Sequence, residues 1–379
     1  MLLLILSGCK NNKLKTIDLS QETISKDSFV FSNENGSDIT INEYEIPLPE
    51  HAESFSFSFY DDVIYYVIDY SNYLEPKTEK DIKDPKIFKS KYNTEILSYN
   101  TITKQIKTIY KYNENYCVNV HDIVCNDNYL VWDELSKEGI YSIKMISIEN
   151  NIKNIEPKTI LTSKNYDMGY LDTFRLRITD DKLYWHQAKE NKEKTELNCS
   201  VYQYSFKNNE INKVLDNLSL GSPYEIVSID NKNLCSFTRT DNTNNIIHIT
   251  NLENGNKTDV FVSTPIVSPV SNGKIIAWSD SYEASRKLYY YNIETSELNV
   301  LNNLSIFSYN IINNKIIFDY RDEKGISNIS GYDIQKKMFY NLTNNNQADI
   351  TYLTLYKNSD DSIIVEKAKL NKHILINIK

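Results

Sequence analysis

YDDVIYYV, residues Tyr60 to Val67, sets a short polar turn directly before an apolar, aromatic-rich run. The arrangement returns as NDNYLVWD (Asn126 to Asp133), TDDKLYWH (Thr179 to His186), DNKNLCSF (Asp230 to Phe237), SNGKIIAW (Ser271 to Trp278), NNKIIFDY (Asn313 to Tyr320) and SDDSIIVE (Ser359 to Glu366). Asn, Asp and Gly tolerate the positive φ of tight hairpin turns, so each copy marks a strand-turn-strand corner. Recurrence every 40 to 66 residues predicts an all-β, seven-bladed β-propeller in which each repeat is one small antiparallel sheet.

Outward from these corners, a second turn follows each of the first six: Ser98 to Tyr110, Ser147 to Ile155, Ser205 to Leu215, Asn251 to Phe261, Tyr291 to Leu301 and Tyr332 to Leu342. Six repeats therefore read as four strands. The seventh has only three, at Ile350 to Tyr356, Ile363 to Ala368 and His373 to Ile378. An open seam leaves raw strand edges, and ITINEYEIPL (Ile39 to Leu48) alternates like a strand just ahead of blade one. It is expected to supply the outer strand of blade seven and fasten the ring. The propeller then spans residues 39–379 as one domain, preceded by a polar tether at 10–38 and an apolar segment at 1–9.

Composition agrees with that layout. Tyr 29 and Phe 13, with many Ile, Val and Thr, favour strands, and Gly 9 with Pro 8 argues against a disordered chain. A net charge of −9 argues against nucleic acid as a partner, because phosphate binding needs clustered cations.

The first residues, MLLLILSGC, end an apolar run in Leu6-Ser7-Gly8-Cys9. This resembles the lipobox of bacterial lipoproteins, which implies cleavage before Cys9 and a lipid on its sulfur. The apolar run is short and nothing basic precedes it, so the true start is expected upstream. As a free coil, the tether of about 28 residues would reach roughly 29 Å. The expected location is the outer face of a bacterial cell membrane, held by lipid. The Asn, Ile, Lys and Tyr usage fits an AT-rich genome.

From Ile39 to Lys379 the repeats resemble the TolB-like and WD-repeat propellers and the propeller domain of prolyl oligopeptidases. LYWHQ at Leu183 and IAWSD at Ile276 are faintly similar to YWTD repeats, without the Thr-Asp pair. Sialidase Asp boxes, Gly-His and Trp-Asp repeat pairs and a G-x-S-x-G elbow are absent.

In propellers of this kind every second strand runs the same way and delivers its last residues to the mouth of the channel, the default binding face. The candidates there are Asp133, Glu134, His186, Arg239, Asp280 and Arg321. Blade one adds an insertion, Tyr70 to Asn93, whose Tyr70, Tyr73 and Phe88 could stack on a sugar or peptide; the alternative is a solvated excursion. Along the inner strand of blade three, Phe174 to Ile178, Arg175 and Arg177 point one way and need partners. His121, Asp122 and Glu225 are the candidates, giving either an internal salt-bridge cluster along the channel or an anion site.

The five His fall in separate blades and form no local metal motif, although His121, Asp122 and His186 could converge across two blades. Cys117, Cys125, Cys199 and Cys235 sit among strand residues and are expected in the core, with no catalytic residue, cofactor or metal assigned. Three functions fit. The first is a lipid-anchored propeller that binds a protein, peptide or glycan without turning it over. The others are a polysaccharide lyase or hydrolase at the mouth, and an accessory subunit of envelope assembly or transport.

Overall fold

The computed structural model describes residues 13–16, 39–49, 52–69, 95–112, 118–136, 140–148, 156–163, 176–190, 197–220, 228–229, 233–239, 245–252, 254–281, 283, 285–346, 352–357, 362–367 and 372–378. The fold is a seven-bladed β-propeller of four-stranded antiparallel blades, with no helix among the described residues. The chain forms two compact units, Met1–Asp27 with Ser219–Leu304, and Ser28–Leu218 with Ser305–Lys379.

The larger unit holds five blades. Blade one is Glu53–Tyr60, Val63–Asp69, Glu95–Asn100 and Ile106–Lys111, and blade two is Val118–Cys125, Tyr129–Ser136, Tyr141–Ser147 and Lys158–Ser163. Blade three is Arg177–Ile178, Lys182–Glu190, Leu197–Ser205 and Glu210–Leu220. Blade six takes the end of the long strand Glu297–Ile312, then Lys315–Arg321, Ser327–Asp333 and Met338–Asn341. Blade seven is Tyr352–Lys357, Ser362–Lys367 and Lys372–Ile378. Its outer strand is Ile39–Glu45, which runs antiparallel to the last strand with Ile39 opposite Ile378 and Glu45 opposite Lys372.

The smaller unit holds two blades. Blade four is Ser228–Ile229, Asn233–Arg239, Asn245–Asn251 and Lys257–Val262. Blade five is Val267–Ser271, Ile275–Ser279, Ser285–Asn292 and the start of Glu297–Ile312. Within the stretch read as a tether, Lys13–Thr16 is a strand, paired parallel with the outer strand of blade four.

The turns form for local reasons. At the inner corners Asp61, Gly273 and Asn313 take positive φ, as their side chains permit. The outer corners repeat one device: an Asn or Ser carbonyl accepts the amide four residues on, at Asn100–Lys104, Ser205–Asn209, Asn251–Gly255 and Asn292–Ser296. The fifth residue is left-handed each time, and Lys337 takes the same conformation in blade six. Side chains complete these turns; Asn292 Oδ1, for example, accepts from Glu294 N and Thr295 N.

Packing is blade face on blade face. In the larger unit Tyr65, Val67 and Ile96 meet Val120, Leu130 and Trp132, and Val131 and Ile143 meet Leu183 and Trp185. Ile317 and Ile329 of blade six meet Ile363 and Val365 of blade seven, whose opposite face places Ile364 and Leu375 against Ile64, Tyr66 and Leu97 of blade one. Ile46 joins that last cluster, and Tyr66 OH donates to Pro47 O at 3.2 Å, so the chain leaving the N-terminal strand is pinned to blade one. In the smaller unit Phe237 and Ile247 pack on Ile276 and Trp278.

One irregularity recurs. The inner strands of blades one, two, five, six and seven each carry an extra residue relative to the second strand. Such bulges re-aim backbone amides and side chains locally, and here they lie on the strands that line a propeller's channel.

Candidate functional site

The bulges account for two carboxylates on second strands, Asp133, expected at the mouth, and Asp319. In blade six the bulge lies between Ile306 and Tyr309, and its two amides, Phe307 N and Ser308 N, both donate to Asp319 Oδ1, at 2.7 and 2.6 Å. In blade two it lies between Val120 and Ile123, and Asp122 N donates to Asp133 Oδ1 at 2.6 Å. The other oxygen of Asp133 takes the Tyr141 hydroxyl and lies 3.5 Å from His121 Nδ1. Asp133 is thus a clamp on the inner strand, fully buried, with both oxygens occupied.

Glu134 faces the opposite side of the same strand. Its carboxylate accepts from Tyr112 OH and from Trp132 Nε1 at 3.2 Å, and Lys144 Nζ stands 3.1 Å away. Burial and the adjacent Glu134 charge raise the Tyr112 phenol far above its ordinary pKa, so Tyr112 is a fixed donor. Asp133 and Glu134 therefore lie inside the blade stack, not open at a rim. His186 is likewise buried.

The remaining rim candidates differ. Asp280 Oδ1 accepts from Lys287 N at 3.0 Å and shapes the loop after the second strand of blade five. Arg239 ends the second strand of blade four, and its side chain lies outside the described residues, as do Cys9, Tyr70, Tyr73, Phe88, Arg175 and Glu225. Arg321, the last residue of its strand, lays its guanidinium over the Phe307 ring at 4.5 Å. Phe307 is 44% exposed although it sits in an inner-strand bulge, where apolar side chains are ordinarily covered. Together they form a half-open shelf of cation on ring, with the Asp319 clamp fixing the backbone beneath.

Of the channel set, Asp122 Oδ2 accepts from Leu176 N at 2.9 Å and so ties blade two to the inner strand of blade three. Arg177 Nη1 donates to Leu176 O at 2.9 Å. His121 stacks on Tyr141 with ring centroids 6.5 Å apart. No group of three or more His, Cys, Asp or Glu side chains among the described residues is placed to hold a metal. Cys125 and Cys235 are buried.

Two features escaped the sequence reading. The clamp had a signal, an aromatic-Asp pair at the same distance from its hairpin turn in Trp132-Asp133 and Phe318-Asp319. The second is a row across blade four in which Thr238 Oγ1 lies 2.8 Å from His248 Nε2, and His248 Nδ1 lies 2.7 Å from Asp259 Oδ1. These residues stand on three separate strands, and nothing in their spacing announces that they meet.

No model of a known protein family matches the chain, and neither does any curated protein. Its fold is shared with solved propellers. The β-propeller domain of the Trilobed protease from Pyrococcus furiosus, described as having an open velcro topology, aligns with TM-score 0.59 at 13% identity over 87% of this chain and 94% of that one. The acylaminoacyl peptidase of Pyrococcus horikoshii aligns with TM-score 0.57 at 11% identity over 83% of this chain, which spans 49% of that protein. TolB from Acinetobacter baumannii is also matched, over 76% of this chain and 77% of that one, with TM-score 0.35 at 10% identity. At these identities the likeness to the two Pyrococcus propellers is one of fold.

Proposed function

We propose that the protein is a lipid-anchored propeller on the outer face of a bacterial membrane, binding a protein, peptide or glycan at the channel mouth without turning it over. The observation that carries the reading is Leu6-Ser7-Gly8-Cys9 ahead of a chain that folds as a propeller. What supports binding over catalysis is the use made of the acid-base groups near the mouth. Asp133, Glu134 and Asp319 hold backbone amides, phenols and an indole, so a reacting substrate would have to displace the bonds that build the blades. The half-open Phe307–Arg321 shelf instead offers an apolar face beside a cation, which suits a planar or apolar group carrying partial negative charge.

Fractionation of cells expressing the full gene tests the anchor: wild type is expected in membranes and Cys9→Ser in the soluble fraction. Residues 10–379 applied to peptide and glycan arrays test binding. Arg321→Ala should weaken capture with the melting temperature nearly unchanged, since Arg321 lies outside the core, and Tyr73→Ala with Phe88→Ala should weaken capture as well. Equal solubility of both forms refutes the anchor, and capture indifferent to all three substitutions refutes the site.

A further inference from the structure

We propose that the N-terminal strand holds blade four against the lipid surface, with the hairpin end of its outer strand toward the bilayer. The proposal rests on the lipid-anchor reading and adds an orientation to it. Lys13–Thr16 pairs parallel with the outer strand Lys257–Val262, Lys13 beside Thr258 and Thr16 beside Phe261. Only four residue steps, through Lys10, Asn11 and Asn12, lead from Cys9 to Lys13. Fully extended they span at most about 14 Å. A lipid on Cys9 therefore brings blade four close to the headgroups, where a free coil of about 28 residues would have allowed roughly 29 Å.

The parallel direction decides which end comes close. Lys13 lies at the start of the outer strand, next to the turn that leads into it from Asn251, where Asn254, Asn256 and Lys257 are exposed. An antiparallel strand would have placed the anchor at the other end, beside Ser263. The charge pattern agrees with an anionic lipid surface as the partner: Cys9 to Thr16 contains Lys10, Lys13 and Lys15 and no acid, and the exposed Lys257 joins them. The pairing also covers the open edge of blade four, which would otherwise present unpaired amides and carbonyls.

Two measurements test this. In the soluble Cys9→Ser protein with Cys117→Ser and Cys199→Ser, Lys13→Cys should oxidise to a disulfide with Thr258→Cys and not with Phe261→Cys, read by peptide mass mapping. In the lipidated chain, otherwise in the same background, a fluorophore is placed at Asn254→Cys or at Ser263→Cys. The protein is reconstituted in phosphatidylethanolamine and phosphatidylglycerol vesicles containing a nitroxide-headgroup lipid. A strand of this length separates the two labels by about 20 Å, so quenching should be at least about twofold stronger at Asn254.

No crosslink to Thr258, a preferred crosslink to Phe261, or equal or stronger quenching at Ser263 overturns the proposal. A chain with Cys9 intact that never partitions into membranes overturns the anchor and this proposal with it. That failure is told apart because the crosslinking arm needs no lipid.

Discussion

Replacing Asp319 should show how strongly one side chain holds the inner strand of blade six. Its Oδ1 accepts two amides, at 2.7 and 2.6 Å, and the residue is 2% exposed, so water cannot easily stand in for it. Hydrogen bonds to a charged group are worth about 1.5–3 kcal/mol each, and two that share an acceptor are not independent, so Asp319→Ala should cost about 3–5 kcal/mol. Asp319→Asn keeps an acceptor oxygen in the same place while losing the charge, and neutral bonds of about 0.5–1.5 kcal/mol each predict a cost near 2 kcal/mol. Urea unfolding followed by tryptophan fluorescence should give midpoints in the order wild type, Asn, Ala with an unchanged slope. An Ala variant within about 0.5 kcal/mol of wild type would refute the clamp, since that is the range of an ordinary surface substitution. An Asn variant as costly as Ala would assign the effect to charge and not to the paired amides.

Gly331 pairs with Tyr340 across blade six, and a Cβ there would overlap the tyrosine ring, so Gly331→Ala should cost about 1–3 kcal/mol and Tyr340→Leu in the same chain should recover part of it, read by urea midpoints. Burial pushes the Cys125 thiol up to about 12 and raises the Tyr65, Tyr66 and Tyr112 phenols. The folded protein keeps these protons after the unfolded chain releases them, so their contribution is complete below about pH 9 and declines as pH rises above it. The urea midpoint should therefore fall between pH 8 and 11, and Cys125 should resist iodoacetamide at pH 8 until the protein is unfolded; a flat profile with rapid labelling would contradict both. Deleting residues 39–48 removes the outer strand of blade seven and the Ile46 and Pro47 contacts to blade one, and should cause aggregation or a large loss of melting temperature. A monomeric deletion variant melting within a few degrees of the full chain would show that this segment does not fasten the ring.

The blade count and strand order were legible because they depend on short-range chemistry. Turn residues such as Asp61, Gly273 and Asn313 adopt the conformations their side chains allow wherever they occur, and the apolar runs beside them have the period of strands. The pairing of Ile39–Glu45 with the last strand, although distant in sequence, could also be inferred, because a three-stranded last blade leaves an edge that needs a partner. The strand at Lys13–Thr16 could not, since a polar segment gives no periodic signal and pairs only because blade four offers an open edge.

The candidate site was legible only in part, for a definite physical reason. Strand direction alone put Arg321 at the end of a second strand, whereas Asp133 and Glu134, expected at such an end, fall inside Tyr129–Ser136, short of its last residue. Whether such a side chain faces water or the protein was decided by the bulges, which turn inner-strand amides toward a carboxylate on the neighbouring strand. That draws Asp133 inward onto Asp122 N, while leaving Arg321 half-open over Phe307. A bulge exists only in the register of two paired strands, and His248 likewise meets Asp259 directly opposite and Thr238 diagonally through the cross-strand register of blade four. Local sequence set the strands and their turns; only the assembled sheets decided which polar groups were consumed in building them and which were left to meet a ligand.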